Sequence, residues 1–338
     1  MILKKKWKGL WIGIFNIVET PNILQAPLQL RDLEIRGDLC NIPNSIGRLQ
    51  YLERVILPCY NHHTISRLPD EFCRLQSLKT LVLSRCSNIK SLPDSFGDLR
   101  NLQSIDLSWW SNLEKLPETF GNLIKLKYLD LSECSCLTMS SETLGNISTF
   151  EHIDLRSCEK IEVLPFKVAH QRSLERLYLS GTNIKELPDA IGELSNLEIL
   201  DVGSPLLDTL PPSLSDLRNL KELEIRDCKE LKCLPAYFGQ LTKLRITSCP
   251  IPELPPSLGG LEELALFGCE KLKNTRGLAQ CTKLRDLFLF SCPELEGLEG
   301  VEHCTSLRRL YVRSCPKLQL GRGVMGQLQQ RLKGRLSF

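Results

Sequence analysis

Aliphatic residues recur along this chain in a short pattern, LxxLxLxxC, whose copies begin about 20 to 26 residues apart. In one copy the apolar positions are Leu78, Leu81 and Leu83, and Cys86 closes the pattern. The alternation around Leu81 predicts a short β-strand that turns two side chains into a core. Successive copies begin at Trp7, Leu30, Leu52, Leu78, Leu102, Leu126, Phe150, Leu174, Leu197, Leu220, Leu241, Leu261, Leu284 and Leu307.

A second pattern, LPxSxGxL, follows the strand pattern in several copies, as in Leu92 to Leu99 and Leu187 to Leu194. Proline has no N–H group, so it suits a segment that lies outside the hydrogen-bonded strands. We expect this segment to return the chain to the start of the next strand. The tight turn is expected to depend on glycine, which occurs at Gly97, Gly121, Gly145, Gly192, Gly239 and Gly259.

A single copy cannot bury its own leucine face, so the copies are expected to stack into one continuous core. The sequence therefore predicts an α/β solenoid, a curved leucine-rich-repeat horseshoe with a parallel β-sheet on the concave face and irregular or short-helical convex returns. About fourteen repeats would cover residues 1–318, with 1–29 as a degenerate first repeat. Residues 319–338 are expected to form a closing helix or tail with Val324, Met325, Leu328, Leu332 and Leu336 on one face.

Composition narrows the classes of partner. A formal net charge of +3 gives no concentrated basic surface for nucleic acid. No apolar run approaches the roughly 20 residues of a transmembrane helix, so we predict no transmembrane segment. The run from Leu10 to Val18 imitates a signal peptide, but it lies in phase with the repeat and lacks a cleavage site.

Cysteine usage indicates buried thiols. The chain has 15 cysteines, an odd number, and most fall at the last position of the strand pattern. Because inward-pointing Cβ vectors on parallel strands make bridging awkward, we expect structural thiols in a reducing compartment, without metal or other cofactor. The cysteines at this position are Cys86, Cys134, Cys158, Cys228, Cys249, Cys269, Cys292 and Cys315.

Strand ends such as LKTLVLSRCSNIKSLP, LKYLDLSECSCL and LKELEIRDCKELKCLP, combined with the LPxSxGxL return, resemble the leucine-rich-repeat region of plant nucleotide-binding disease-resistance receptors. The resemblance covers about residues 7 to 318, and Ras-group leucine-rich-repeat scaffolds are similar in the return segment. It implies a sensing or autoinhibitory role in plant innate immunity. The sequence contains no GxxxxGK[ST] motif, so nucleotide binding is not implied.

We therefore expect a cytoplasmic protein that recognises another protein through the concave face and is not an enzyme. Partners implied by the resemblance are a pathogen effector, a guarded host protein, a signalling partner, or the missing nucleotide-binding domain of a larger receptor. The alternatives are a stand-alone signalling scaffold and a ubiquitin-ligase substrate adaptor, although we find no room for an F-box segment. A secreted receptor is a further alternative, but the single sequon at Asn146 is too weak to support it, and unpaired cysteines argue against it.

Side chains at outward strand positions do not pack in the core, so the residues at these positions are the candidate binding residues. One group is acidic and is interrupted by an aromatic residue: Asp106, Asp130, Asp154, Tyr178, Asp201 and Glu224. These positions either form a groove for a basic partner or simply pair with neighbouring Ser and Arg side chains.

Toward the C-terminus the outward positions become aromatic and basic, with Phe267, Phe288, Phe290, Arg309, Tyr311 and Arg313. Aromatic and arginine side chains dominate binding hot spots. The residues form either a ligand surface or a contact with another domain or the closing helix. We also expect Trp109 to point outward as a contact residue and Trp110 to point inward in the cysteine position.

Overall fold

The computed structural model describes residues 10–12, 28–35, 41–59 and 65–319, together with residues 328, 330, 332 and 336–337. The chain divides into two compact units, Met1–Leu174 and Glu175–Phe338. In each unit, parallel strands follow one another in chain order, and short 3₁₀ helices connect them.

Three-residue strands predominate in the first unit, where each strand pairs in parallel with the next along the chain. Their bounds are β1 Leu10–Ile12, β2 Asp32–Ile35, β3 Arg54–Ile56, β4 Thr80–Val82, β5 Ser104–Asp106, β6 Tyr128–Asp130 and β7 His152–Asp154.

Most strands of the second unit are longer, with five residues each from β10 to β14. Their bounds are β8 Arg176–Tyr178, β9 Ile199–Val202, β10 Glu222–Arg226, β11 Lys243–Thr247, β12 Glu263–Phe267, β13 Asp286–Phe290, β14 Arg309–Arg313 and β15 Leu336–Ser337.

Register between strands places like positions of successive repeats side by side. In the first unit Leu129 pairs with Ile105 on one side and Ile153 on the other. All three side chains are fully buried. The register expected from the LxxLxLxxC pattern is confirmed, and each unit has the parallel sheet and layered aliphatic core of a leucine-rich-repeat solenoid.

The return segments contain short 3₁₀ helices, as expected, and six of those described begin after a proline. Phe96 and Phe120 lie at equivalent positions in two of them and stack at a centroid distance of 5.9 Å. Both rings are fully buried, so the returns add a second apolar layer to the core. The helices are Asn44–Arg48, Asp70–Arg74, Asp94–Asp98, Glu118–Asn122, Val168–His170, Asp189–Glu193, Pro212–Asp216, Arg276–Gln280 and Val301–His303.

Glycine in the return serves a different purpose from the one expected. A Cβ atom at Gly97 would lie only 1.9 Å from the backbone oxygen of Thr119 in the next repeat. Of the six glycines proposed to permit a turn, only Gly239 has a positive φ. Close packing between successive returns, and not backbone freedom, explains Gly97.

A positive φ instead marks the residue that precedes the cysteine position in many repeats. Ser291, for example, has φ of 54°, and Trp109 has φ of 66°. Residues other than glycine adopt this left-handed backbone conformation at a cost of roughly 1–2 kcal/mol. The other residues at this point are Arg85, Glu133, Ser157, Gly181, Asp227, Ser248, Gly268 and Ser314.

Most cysteines at the end of the strand pattern are buried thiols. Cys134 and Cys158 approach the backbone oxygens of Leu107 and Leu131 in the preceding repeats, at 3.4 and 3.1 Å. The expectation was wrong for Cys86, which forms a disulfide with Cys59. Cys59 stands one place before the cysteine position of its own repeat, and this offset brings the two sulfur atoms together.

Near the ends of the chain, β1 places Leu10 beside Leu33 of β2; Trp7 lies outside the described residues. Leu328 and Leu332 are helical and buried. Leu336 was expected on the same helical face, but it lies in β15 and pairs with Leu310. Val324 and Met325 lie outside the described residues. None of the described helices has the length and apolar character needed to cross a membrane.

Candidate protein-binding surface

From β2 to β14, the strands turn alternate side chains away from the core, and within each unit these side chains form what we call its strand face. On β6 and the residue pair that follows it, the outward side chains are Tyr128, Asp130 and Ser132, while Leu129 and Leu131 are fully buried. Alternation along a strand causes this separation, since consecutive Cβ atoms point to opposite sides of a sheet. The strand face is therefore built from residues that the core does not require.

In the first unit, two acidic side chains of the strand face have the same local arrangement. Oδ1 of Asp106 accepts hydrogen bonds from the backbone N–H and the hydroxyl of Ser108, at 2.9 and 2.7 Å. Oδ1 of Asp130 accepts the equivalent bonds from Ser132. Burial raises the pKa of Asp130, and the neighbouring carboxylates contribute to the same shift. These contacts match the alternative in which each aspartate pairs within its own repeat.

Two other carboxylates are much less accessible than their outward positions indicated. Asp154 is 2% exposed, and the guanidinium of Arg156 donates to both of its carboxylate oxygens. Asp201, in the second unit, is also 2% exposed. It accepts a hydrogen bond from the hydroxyl of Ser180 at 2.9 Å and has Arg226 at 3.6 Å. The prediction of an exposed acidic ladder is thus wrong at Asp154 and Asp201.

Tyr178 and Glu224 border a shallow groove of about 370 Å³ on the strand face of the second unit. Glu224 is 2.6 Å from Arg226 and 3.6 Å from Arg245. Arg245 in turn lies 3.8 Å from Glu263. Four carboxylates and two cations line the groove, so these ion pairs compensate only part of its negative charge.

Trp109 and Trp110 point in opposite directions, as expected. Trp110 is fully buried in the cysteine position, and its indole N–H donates to the backbone oxygen of Leu83 at 2.6 Å. Trp109 is 48% exposed, and the guanidinium of Arg85 lies 5.2 Å from its ring centroid. Arg85 is a contact that the repeat pattern did not single out, because it requires the register between adjacent repeats.

Tyr128 and His152, which the repeat pattern did not single out as a pair, stack their rings at 4.4 Å on adjacent strands. Burial raises the pKa of Tyr128 to about 12, with Asp130 as the next cause. The phenol is therefore neutral at physiological pH. The signal was available, since both residues hold the same outward position of successive repeats.

The aromatic residues of the second unit form two stacked pairs. Phe267 of β12 stacks on Phe290 of β13 at 5.1 Å, with an interplanar angle of 3°. Phe288 of β13 stacks on Tyr311 of β14 at 5.4 Å, with an angle of 2°. All four side chains are half-buried. The sequence placed these residues on one surface, and the structure brings them together.

Arg309 and Arg313 flank these rings and differ in their ion pairing. Arg309 makes a two-pronged ion pair with Asp286, at 2.5 and 2.6 Å, and its guanidinium lies 6.0 Å from the centroid of Phe288. The ion pair with Asp286 raises the pKa of Arg309 above its ordinary value. Arg313 is exposed, and no carboxylate of the described chain lies within ion-pair distance of it.

Among the described residues, no group of three or more His, Cys, Asp or Glu side chains is arranged to hold a metal ion. The strand face presents aromatic rings, locked carboxylates and arginines on a regular framework. These are the elements of a recognition surface.

Two regions match family models. Residues 154–248 match the model described as leucine-rich repeat region, and residues 77–99 match the model of a leucine-rich repeat. No curated protein gives a significant match to the chain.

Several solved structures share the fold. A leucine-rich-repeat protein of Leptospira interrogans has a TM-score of 0.59 at 24% identity, covering 91% of this chain and 84% of its own. The functional domain of InlJ from Listeria monocytogenes, which includes a cysteine ladder, has a TM-score of 0.54 at 16% identity, covering 84% and 61%. The Arabidopsis receptor kinase HAESA, in complex with the peptide hormone IDA and the co-receptor SERK1, has a TM-score of 0.51 at 18% identity, covering 83% and 57%.

These neighbours include plant and bacterial proteins, so they do not distinguish the plant receptor family expected from the strand and return motifs. The matched regions, the register of the strands and the shared fold together identify a leucine-rich-repeat region in this chain.

Proposed function

We propose that this chain recognises another protein through its strand face. The observation that supports the proposal is that, within each repeat, the inward side chains form the core and the outward side chains are left to contact a partner. Inward positions such as Leu129 are fully buried, whereas outward positions include Trp109 and the paired aromatic rings. Leucine-rich-repeat proteins generally act as non-enzymatic binding scaffolds, and no arrangement among the residues that the structure describes indicates catalytic activity.

The role that we favour is the sensing or autoinhibitory part of plant innate immune signalling, in the cytoplasm. Support comes from the strand ends and LPxSxGxL returns that resemble plant disease-resistance receptors. The partner would then be a pathogen effector, a guarded host protein, a signalling partner or a nucleotide-binding domain. Residues 1–318 would supply the repeats, and 319–338 would close the last one.

The experiment is partner capture from a native plant extract with the immobilised chain, followed by mass spectrometry. Three strand-face variants, Asp130→Arg, Trp109→Ala and the double variant Phe288→Ala/Tyr311→Ala, are compared with Glu118→Arg, whose exposed side chain lies in a return segment. We expect a strand-face variant to lose the partner and Glu118→Arg to keep it.

Equal capture by all four variants would contradict recognition through the strand face. The identity of the captured protein tests the finer role. A nucleotide-binding receptor domain or a pathogen effector supports the immune assignment, whereas core subunits of a ubiquitin ligase support a substrate adaptor instead.

A further inference from the structure

The second unit carries a compact surface that we call the aromatic–arginine patch, composed of Phe267, Phe288, Phe290, Arg309, Tyr311 and Arg313. Its residues come from β12, β13 and β14, and strand register pairs Phe288 with Tyr311 and Phe290 with Arg313. Neighbouring strands lie about 4.8 Å apart, so the patch spans roughly 10 Å across three strands. This width suits a short peptide segment.

The centre of the patch is apolar and continuous. Ala265 lies beside Phe288 in the register of β12 and β13 and is only 1% exposed. Larger neighbouring side chains therefore cover Ala265. An apolar side chain of a partner would contact ring carbons across the whole centre.

The orientation of the rings favours an acidic partner. Each pair stacks across neighbouring strands with nearly parallel planes, so one face of each ring is covered by the partner ring. The edge of an aromatic ring carries partial positive charge, whereas its face carries partial negative charge. Stacking leaves the ring edges uncovered by the partner ring, and an edge is the part of a ring that attracts a carboxylate.

The charged groups around the rings also favour an acidic partner, because the carboxylates are paired and some of the arginines are not. The two carboxylates at outward positions of β12 to β14 are occupied, Asp286 by Arg309 and Glu263 by Arg245 at 3.8 Å. Arg313, at the edge of the patch, has no carboxylate within ion-pair distance in the described part of the chain. The same is true of the exposed Arg308, which precedes Arg309 at the opposite end of β14. Cationic charge is therefore left available where anionic charge is not.

We propose that the aromatic–arginine patch binds an acidic peptide segment of a protein partner, with an apolar side chain on the Phe288–Tyr311 pair and a carboxylate on Arg313. This inference rests on the proposed function and assigns it a site and a class of partner. Arg309 acts as a rigid wall, since its guanidinium is already held by Asp286 and lies over Phe288.

The test selects a random dodecapeptide display library on the full chain and measures the affinity of synthetic selected peptides by fluorescence anisotropy. We expect the selected peptides to combine Asp or Glu with aromatic or aliphatic residues. The double variant Phe288→Ala/Tyr311→Ala should weaken their binding by at least about tenfold, because hot-spot truncations have effects of this size. Tyr237→Ala is the matched control, since Tyr237 is 47% exposed and lies outside the patch.

A charge reversal tests the ionic part. Arg313→Glu should reduce the affinity for the selected peptides, and replacing the acidic residue of the peptide with Lys should restore it. Arg218→Glu changes an exposed arginine of a return segment and should have no effect. Circular dichroism melting of each variant checks that it is folded.

Selected peptides that are basic, or that bind the double variant with unchanged affinity, overturn the patch. If such peptides instead lose binding with Trp109→Ala or Asp130→Arg, recognition through the strand face stands and only its location is wrong. If no peptide is enriched and the strand-face variants leave partner capture unchanged, both proposals fail.

Discussion

Replacing Leu129 with alanine tests the core register directly. Leu129 is fully buried in β6 between Ile105 and Ile153, which are also fully buried. The change removes three carbon atoms, for which the transfer free energy is about 2.4 kcal/mol at about 0.8 kcal/mol per buried methylene. A cavity penalty adds to this value because stacked strands on both sides limit collapse, so we expect a loss of about 2.5–5 kcal/mol.

The assay is urea unfolding followed by tryptophan fluorescence, to which Trp110 contributes from a fully buried position just after the neighbouring strand β5. The matched control is Ile124→Ala. Ile124 is 57% exposed in the segment that leads into the repeat of Leu129, and its truncation should change the free energy of unfolding by less than about 0.5 kcal/mol. A midpoint for Leu129→Ala that is no lower than the midpoint for Ile124→Ala would show that the inward positions are misassigned.

Three further outcomes follow from the backbone, the thiols and the disulfide. Ser291 has a positive φ, so Ser291→Gly should be more stable than Ser291→Ala by about 1 kcal/mol in urea unfolding. The same pair of substitutions at Ser306, which is exposed without a positive φ, should not favour glycine. Burial raises the pKa of the Cys134 thiol from 9.0 to about 12, so the unfolded chain loses this proton first as pH rises. The contribution of Cys134 to stability is therefore complete below pH 9.0 and is lost between pH 9.0 and about 12; a Cys134→Ala variant whose stability declines just as steeply over this range would refute the assignment. Cys59→Ser should lower the free energy of unfolding by about 3–4 kcal/mol without reductant, since the disulfide closes a loop with a sequence separation of 27. Addition of dithiothreitol should bring the wild type close to the variant, and a difference that persists in reductant would assign the effect to packing instead.

The fold could be predicted from the sequence because the same pattern of apolar positions recurs in each repeat. A single LxL segment is ambiguous, but the agreement of many copies fixes which residues face inward, and Leu81, Ile105 and Leu129 lie in register as expected. The direction of Trp110 followed from the same logic, since it stands where other repeats have cysteine.

What the pattern could not reveal depends on contacts between repeats. The burial of Asp154 results from the long side chain of Arg156 folding back over it. The disulfide of Cys59 results from a one-residue offset, and the requirement for Gly97 results from the backbone of Thr119. A pattern that classifies positions as inward or outward contains no information on the distances between particular atoms of neighbouring residues.

The local hydrogen bonds of Asp106 and Asp130 bear on how specificity could be encoded. Because each carboxylate is held by the serine two residues later, its rotamer is fixed before any partner arrives. The stacking of Phe288 on Tyr311 has the same effect on the aromatic rings. A partner that binds such preorganised groups loses less side-chain entropy, so the balance between related ligands depends on the fit of shape and charge. Substitution of a single outward residue can then change the ligand that is preferred while the leucine core continues to fold as before.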